Sequence, residues 1–258
     1  MIPVPKDLAG RELLRDKVVV VTAAAGTGIG SAVARRGLLE GARVVLSDWH
    51  ERRLAEKAAE LGELGEVHPI VCDVTDETQV QGLVDGAVAR FGRIDVLVNN
   101  AGLGGSKSIV DMADEEWQRV LDVTLTGTFR MTRAALRRFI EQGDGGVVVN
   151  NASVIGWRAQ AEQAHYAAAK AGVMALTRCA AVEAAPHGIR VNAVAPSLAM
   201  HPFLAKVTSE ELLEELTGRE VSGRAAEPGE VANVMVFLAS DYSSYLTGEV
   251  VSVSSQHA

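Results

Sequence analysis

The sequence is poor in the residue types that would point to several common classes of protein. Aromatic residues make up only 4% of its 258 residues, and it has two cysteines, Cys72 and Cys179. Two cysteines cannot build a disulfide framework, and their separation does not suggest a metal knuckle. No histidine pairs with a cysteine or a carboxylate at a metal-binding spacing, so we expect no metal.

Positive charge and long apolar runs are lacking as well. The net charge is −8, so the chain has no basic surface of the kind that binds nucleic acid. Its apolar stretches are broken well before the roughly 20 residues that a membrane helix needs. No basic segment followed by an apolar run opens the chain, as a signal peptide would. We therefore expect neither nucleic acid nor membrane as a partner, and a cytoplasmic location.

Short β-branched runs alternate with helix-length segments along the whole chain. Nearly continuous Val, Ile and Leu indicates strands buried on both faces, which is typical of parallel sheets. The pattern predicts an α/β fold, a Rossmann-type doubly wound parallel sheet of seven strands with helices on both faces. The predicted strands are Val18–Val21, Arg43–Leu46, Val67–Val71, Ile94–Val98, Gly146–Asn150, Ile189–Ala193 and Glu249–Val253. The longer predicted helices are Ile29–Glu40, Asp76–Phe91, Asp114–Gln142 and Ala164–Ala185.

No linker, repeat or low-complexity tract divides the chain, so we predict a single domain over residues 1–258. Its cofactor half covers about 15–150 and its catalytic half about 146–258. Residues 199–223 depart from the alternating pattern and contain an acidic helical stretch from Ser209 to Leu216. This segment is either a lid over a ligand or a solvated surface helix.

A glycine-rich turn lies between the first strand and the first helix. Gly26, Gly28 and Gly30 would let backbone N–H groups approach a pyrophosphate at the positive end of the helix dipole. Asp48 ends the next strand at about the expected 20-residue offset, where its carboxylate can accept bonds from ribose hydroxyls. A carboxylate there repels a 2′-phosphate, which favours NAD over NADP.

Two alternatives remain open at this position. Asp48 could also act as the N-cap of the helix that follows it, either alone or together with the ribose role. Arg52 and Arg53 lie just beyond and could reach a 2′-phosphate, so NADP stays possible.

Tyr166 and Lys170 lie four residues apart in an alanine-rich helix, so both side chains project from one face. Free tyrosine has a pKa of about 10, and a neighbouring ammonium is expected to lower it toward neutrality. Such a pair alone could be a surface helix pairing. Ser153 follows a strand and stands 13 residues before Tyr166, and the family resemblance given next implies that the three residues form one reaction centre.

These residues together resemble the short-chain dehydrogenase/reductase family along nearly all of the chain. The family's Thr-Gly-x-x-x-Gly-x-Gly loop is matched at Gly28 and Gly30, whereas Ala24 stands at its first glycine. Asp73-Val74 is similar to the family's adenine contact, and Asn99-Asn100-Ala101-Gly102 to its Asn-Asn-Ala-Gly motif. The resemblance implies a cofactor site built from Ala24, Gly26, Thr27, Gly28, Ile29, Gly30, Asp48, Asp73, Val74, Asn100, Ala101, Gly102, Tyr166, Lys170, Pro196, Ser197 and Leu198.

The resemblance also implies the catalytic roles. Tyr166 exchanges a proton with the substrate oxygen, and Ser153 hydrogen-bonds that oxygen and stabilises its charge. Lys170 lowers the pKa of Tyr166 and holds the nicotinamide ribose. The hydride passes between the nicotinamide and the carbonyl carbon.

Several positions depart from the family pattern. Thr124 takes the place of an asparagine that helps to hold a water next to the lysine, so we count Thr124 as a fourth catalytic candidate. Ser197 replaces the glycine of a Pro-Gly turn, and His201 aligns with a threonine that binds the carboxamide. His201 could contact the carboxamide or the substrate, or be an ordinary loop histidine.

Trp157, Arg158, Gln160 and His201 are the candidate substrate residues. Arg158 could meet a phosphate or carboxylate, or it could pair with the acidic segment. The run from Asn151 to Gln160 and the segment from Tyr242 to Glu249 resemble a subgroup from actinobacterial steroid breakdown. That subgroup interconverts a hydroxyl and a ketone on a CoA-linked indane-propionate fragment.

Three functions follow from these residues. The first is an NAD(P)-dependent oxidoreductase acting on a secondary alcohol or ketone, including a CoA thioester. The second is a non-redox epimerase or dehydratase that uses bound NAD, and the third a cofactor-binding regulator without turnover. Apolar stripes on Asp114–Gln142 and Ala164–Ala185 predict a homotetramer, since the family pairs these helices between subunits.

Overall fold

The computed structural model describes residues 10–200 and 210–255. Seven strands form one sheet in which every neighbouring pair is parallel, in the order β3-β2-β1-β4-β5-β6-β7. The predicted doubly wound α/β fold is therefore confirmed. The strands are β1 Val18–Val21, β2 Arg43–Asp48, β3 Val67–Val71, β4 Val96–Asn99, β5 Gly146–Asn151, β6 Ile189–Pro196 and β7 Val250–Val253.

Helices cover both faces of the sheet and bury two apolar layers. One layer packs α1 and α8 against the sheet around Leu38 and Met235, and the other packs α3 and α5 around Leu83 and Phe139. The described helices are α1 Ile29–Leu39, α2 Glu51–Gly62, α3 Glu77–Phe91, α4 Asp114–Leu121, α5 Gly127–Gln142, α6 Ala164–Ala184, α7 Glu210–Gly218 and α8 Pro228–Ala239.

The strand order reverses between β1 and β4. The chain leaves β1 toward one side of the sheet and β4 toward the other, so a crevice opens at their carboxyl ends. Ligands of open α/β sheets bind at such a switch point. The glycine-rich turn after β1 and the Asn100-Ala101-Gly102 segment after β4 both lie there.

The predicted helix over Asp114–Gln142 is helical from end to end, and a π-helical turn over Asp122–Thr126 lies within it between α4 and α5. Its central residue, Thr124, is completely buried and bonds through its hydroxyl to the backbone of Leu103. Such turns interrupt helices frequently at functional sites, because the extra residue re-aims a side chain. A pattern of apolar spacing does not reveal that insertion.

The segment at 199–223 is described in part. Its acidic stretch forms α7, and a short parallel bridge joins Ala199 to Ala226. Residues 201–209 lie outside the described part, and His201 with them. Among the described residues, no helix is long and apolar enough to cross a membrane.

Candidate active site

The turn after β1 is joined to the end of β4 by hydrogen bonds across the switch point. The buried Thr22 hydroxyl accepts bonds from the N–H groups of Asn100 at 3.0 Å and Ala101 at 3.1 Å. In return, Asn100 Nδ2 donates to the carbonyls of Thr22 at 3.2 Å and Ala23 at 3.1 Å. The two loops that flank the crevice are thus held as one unit.

Gly30 is required by this arrangement. A Cβ there would lie 2.5 Å from the Ala23 carbonyl oxygen and 2.5 Å from Asn100 Nδ2, closer than real Cβ atoms approach backbone. Ala23 has a φ of +51°, a left-handed conformation that side-chain-bearing residues adopt at a cost. The turn therefore takes its sharp bend at Ala23.

The rest of the turn leads into α1. Ala24 is fully buried and its N–H donates to the Ser47 carbonyl at 3.0 Å, whereas Thr27 is exposed. Gly28 is the N-cap of α1 and Ile29 its first residue. Gly26 has no backbone requirement for glycine, because a Cβ there would meet only the Gly28 nitrogen at 3.9 Å.

Asp48 lies at the carboxyl end of β2, is 8% exposed, and binds two backbone amides. Its Oδ2 accepts from Ala25 N–H at 3.2 Å and its Oδ1 from His50 N–H at 3.0 Å. The N-cap of α2 is His50, so the alternative N-cap role of Asp48 is not realised. Since a carboxylate can accept about four hydrogen bonds, Asp48 keeps capacity for ribose hydroxyls.

The surroundings of Asp48 include one residue that the sequence analysis did not single out. Trp49 is 67% exposed, and its ring lies 5.2 Å from that of His50. Arg52 lies on α2 and pairs with Glu56 at 3.6 Å. Trp49 directly follows the ribose-binding candidate Asp48, so its position in the sequence could have marked it as a further candidate for the cofactor site.

Asp73 organises the loop after β3. Its Oδ1 accepts bonds from the N–H of Thr75 at 2.9 Å and the hydroxyl of Thr75 at 2.8 Å. Val74 is buried, and a Cβ at Gly127 would lie 2.6 Å from its Cγ2. These contacts hold Asp73 and Val74 in place just after the carboxyl end of β3.

A chain of side-chain amides crosses the centre of the sheet. Asn99 Nδ2 donates to Thr132 Oγ1 at 3.0 Å and to Asn150 Oδ1 at 2.9 Å. Beside it, Asn151 Nδ2 donates to Asn100 Oδ1 at 3.0 Å. Asn151 was not among the predicted site residues, although its place directly after the β5 core is visible in the sequence. It joins the cofactor side of the site to the catalytic side.

Ser153, Tyr166 and Lys170 come together at the carboxyl end of β5. Ser153 is buried and caps a short turn, its Oγ accepting from Ile155 N–H at 3.3 Å. Lys170 is 3% exposed, and its Nζ donates to the Asn151 carbonyl at 2.5 Å. That Nζ lies 5.5 Å from the centre of the Tyr166 ring.

Burial dominates the electrostatics of this pair. Burial raises the pKa of Tyr166 to about 12, and a hydrogen bond with Ser153 acts in the opposite direction. Burial also lowers the pKa of Lys170 to about 8. The Lys170 amine donates to the Asn151 carbonyl, and the lowering of the Tyr166 pKa by Lys170 stays a prediction. Ser153 is a group that favours the phenolate.

Thr124 holds the loop after β4. Its Oγ1 accepts from Leu103 N–H at 3.0 Å and donates to the Leu103 carbonyl at 3.1 Å. The Thr124 carbonyl in turn accepts from the Thr128 hydroxyl at 2.7 Å. The Thr124 hydroxyl thus uses its one donor and one of its two acceptor lone pairs on Leu103, and these bonds hold the loop after β4 in position.

The predicted substrate residues lie between Ser153 and α6. Trp157 is half-exposed, Arg158 is half-buried, and Gln160 accepts from Gln163 N–H at 3.4 Å. On the opposite side, Pro196 ends β6 and Ser197 N–H donates to the Val253 carbonyl at 3.2 Å. The Leu198 carbonyl accepts from Ala226 N–H at 2.9 Å. These residues close the two sides of the crevice, and within the described ranges no cluster of metal-ligating side chains occurs.

Known proteins resemble this chain over almost its whole length. A family profile described as enoyl-(acyl carrier protein) reductase matches residues 23–255. A protein of Mycobacterium tuberculosis named (5R,7aS)-5-hydroxy-7a-methyl-1-oxo-2,3,5,6,7,7a-hexahydro-1H-indene-carboxyl-CoA reductase is 67% identical over 255 residues, covering 98% of this chain and 97% of the relative. The 3-oxoacyl-acyl-carrier-protein reductase of Thermotoga maritima is 42% identical, covering 93% and 97%. The crystal structure of a short chain dehydrogenase from Mycobacterium smegmatis is 60% identical, with a TM-score of 0.89 over 99% of each chain.

Proposed function

Because the chain belongs to the short-chain dehydrogenase/reductase family and is an NAD(P)-dependent oxidoreductase of alcohols and ketones, we propose that it acts on a ring ketone of a fused bicyclic CoA thioester. The observation that carries the reaction is the meeting of Ser153, Tyr166 and Lys170 at the carboxyl end of β5, and the 67% identical relative supports the substrate class. The non-redox and regulatory alternatives are set aside, since the relatives that span nearly the whole chain are reductases.

We assign the proton transfer to Tyr166, which is protonated near neutrality because its pKa is raised to about 12. A protonated phenol suits the reductive direction, in which the developing alkoxide must receive a proton. Ser153 would donate a hydrogen bond to that oxygen as charge builds on it. Lys170 would place its ammonium beside the ribose, and the nicotinamide when bound exchanges the hydride.

The residues of the crevice fit a dinucleotide. Gly28 is the N-cap of α1, without a side-chain cap, at the helix end that favours a pyrophosphate, and Asp48 offers a carboxylate beside the exposed Trp49. We propose NAD as the preferred cofactor, because the Asp48 carboxylate would repel a 2′-phosphate. Arg52 pairs with Glu56, and this ion pair competes with binding of a 2′-phosphate by Arg52.

The substrate class is taken from the 67% identical relative. Its name describes a two-ring indene skeleton that carries a CoA ester, which supports the same class here. That name gives a carboxyl-CoA, whereas the sequence resemblance predicts a propionyl-CoA, so the acyl arm needs a direct comparison. CoA thioesters and NAD(P) are metabolites of the cell interior, so we propose the cytoplasm as the location.

We also propose a homotetramer. Apolar side chains remain exposed on the helices expected to pair, namely Phe129 at 42% and Ile140 at 45% on α5 and Val182 at 77% on α6. Exposed apolar area of this kind typically marks an interaction surface. Light scattering at micromolar concentration should give four chains, and a monomer would contradict the proposal.

The function is tested by following NADH and NADPH absorbance with bicyclic ketone CoA thioesters and with acetoacetyl-CoA. We expect the bicyclic thioesters to be reduced with the higher kcat/KM, and with NADH in preference to NADPH. Tyr166→Phe removes the proton donor and should abolish turnover, whereas Tyr242→Phe, at an exposed residue, should not. Reduction of acetoacetyl-CoA alone would overturn the substrate class.

A further inference from the structure

Three glycines of the segment 102–105, here called the glycine strip, lie against three different side chains of α6. A Cβ at Gly102 would lie 3.4 Å from Lys170 Nζ. One at Gly104 would lie 3.8 Å from Tyr166 Cδ2, and one at Gly105 would lie 3.1 Å from His165 Nε2. The strip therefore passes over the catalytic helix while presenting almost no side chains to it.

The strip is anchored on both sides of Gly104. On one side, both backbone polar groups of Leu103 bond to the buried Thr124 hydroxyl, at 3.0 and 3.1 Å. On the other, the Gly105 carbonyl accepts from Gln163 Nε2 at 2.7 Å. Two residues further, Lys107 N–H donates to the Glu162 carbonyl at 3.0 Å. These bonds hold the strip in place, so a methyl group added at Gly104 would stay beside the Tyr166 ring.

The fold itself does not require glycine at position 104. A Cβ there would touch only the edge of the Tyr166 ring, at 3.8 and 4.0 Å, which is ordinary van der Waals contact. The backbone of Gly104 is not in the left-handed region. This distinguishes it from Gly30, where a Cβ would overlap backbone. What the missing side chain provides at Gly104 is open space beside the phenol.

We propose that Gly104 is a specificity-determining residue whose open space admits the second ring of a fused bicyclic ketone beside Tyr166. The inference rests on the proposed function. A flexible acyclic ketone can rotate its substituents away from an added methyl group, whereas a fused ring holds its second ring rigidly beside the reacting carbonyl. Thr124 and Gln163 are positioning residues, because they hold the strip at this distance.

The test compares Gly104→Ala and Gly104→Val with Gly82→Ala, an exposed helical position where a Cβ meets no atom within 4 Å. For each, kcat/KM is measured with a bicyclic ketone CoA thioester and with acetoacetyl-CoA, using NADH. Because one methylene in a pocket is worth about 10- to 200-fold, we expect Gly104→Ala to lower the bicyclic value by about tenfold or more. The value for acetoacetyl-CoA should stay within about twofold, and NADH affinity measured by fluorescence should not change.

A second variant tests the anchoring. Adding Gln163→Ala to Gly104→Ala frees the Gly105 carbonyl, so the strip can move and part of the lost bicyclic kcat/KM should return. An equal fall for both substrates, or an unchanged ratio between them, would overturn the inference. If the wild type reduces no bicyclic ketone, the proposed function falls first. If the wild type does reduce one and Gly104→Ala keeps the same ratio, only the inference about Gly104 falls.

Discussion

The buried, charged form of Lys170 is expected to lower the free energy of unfolding of the protein. Its ammonium is 3% exposed, and burial lowers its pKa from 10.5 to about 8. Replacing it with methionine keeps the length and apolar character of the side chain but removes the charge. We predict that Lys170→Met abolishes turnover and makes the protein more stable relative to the wild type at pH 7 than at pH 9.5.

The magnitude follows from the pKa shift. One pKa unit corresponds to 1.36 kcal/mol, so a buried ammonium with this shift costs about 3 kcal/mol of stability at pH 7. Between pH 8 and 10.5 the unfolded chain binds more protons at this lysine than the folded chain does, so wild-type stability rises with pH. Integrated from pH 7 to 9.5, the rise from Lys170 alone is about 2 kcal/mol.

The assay is urea unfolding of wild type and Lys170→Met at both pH values and one protein concentration. The difference in unfolding free energy between the two proteins should shrink by about 2 kcal/mol from pH 7 to pH 9.5. The bond to the Asn151 carbonyl is part of the measured change, because an ammonium makes it at pH 7 and mostly a neutral amine at pH 9.5. Lys17→Met, at a lysine outside the site, serves as the control. A difference that does not change with pH would refute the reasoning.

Three further predictions concern the crevice. Asp48→Asn removes the charge that opposes a 2′-phosphate, so the ratio of NADPH to NADH affinity, measured by nucleotide fluorescence, should rise by about tenfold or more; Asp85→Asn, at an exposed residue of α3, is the control, and an unchanged ratio in Asp48→Asn would contradict the role of Asp48. Gly30→Ala places a Cβ 2.5 Å from the Ala23 carbonyl and should destabilise by about 1–3 kcal/mol in thermal unfolding, whereas Gly82→Ala should not. Ser153→Ala removes the hydrogen bond that lowers the pKa of Tyr166, so the rise of residual alcohol oxidation with pH should move to higher pH; a profile moved downward would speak against it.

Much of the fold is predictable because each buried strand is nearly continuous in β-branched residues. Val18–Val21 is the clearest case, since all four valines are buried and the predicted bounds are those of the structure. Sequence spacing does not reveal local changes of helix type. Thr124 lies within the predicted helix, and the hydrogen bonds of its hydroxyl to Leu103 accompany a π-helical turn there. Spacing along a helix carries no information about a partner 21 residues away.

The site divides in the same way. The order and spacing of Ser153, Tyr166 and Lys170 predict the reaction centre through their match to the family, and the structure brings Lys170 Nζ to 5.5 Å from the Tyr166 ring. Their proton affinities do not follow from spacing, since they depend on burial and on the carbonyl that Lys170 finds. That carbonyl belongs to Asn151, a residue whose importance appears only when β5 and α6 are packed together.

Two departures from the family pattern, Thr124 and the turn after β1, fall on groups that hold backbone. Leu103 offers one backbone donor and one backbone acceptor, and a hydroxyl can pair with both. Thr124 therefore holds the loop through one donor and one acceptor, as a side-chain amide could, and it does so from within the π-helical turn. At the turn after β1, the bonds of Asn100 to the carbonyls of Thr22 and Ala23 support a bend at a non-glycine residue. Since supporting roles can be filled by any group with the right donors and acceptors, these substitutions change the scaffold of the site and leave its reaction class intact.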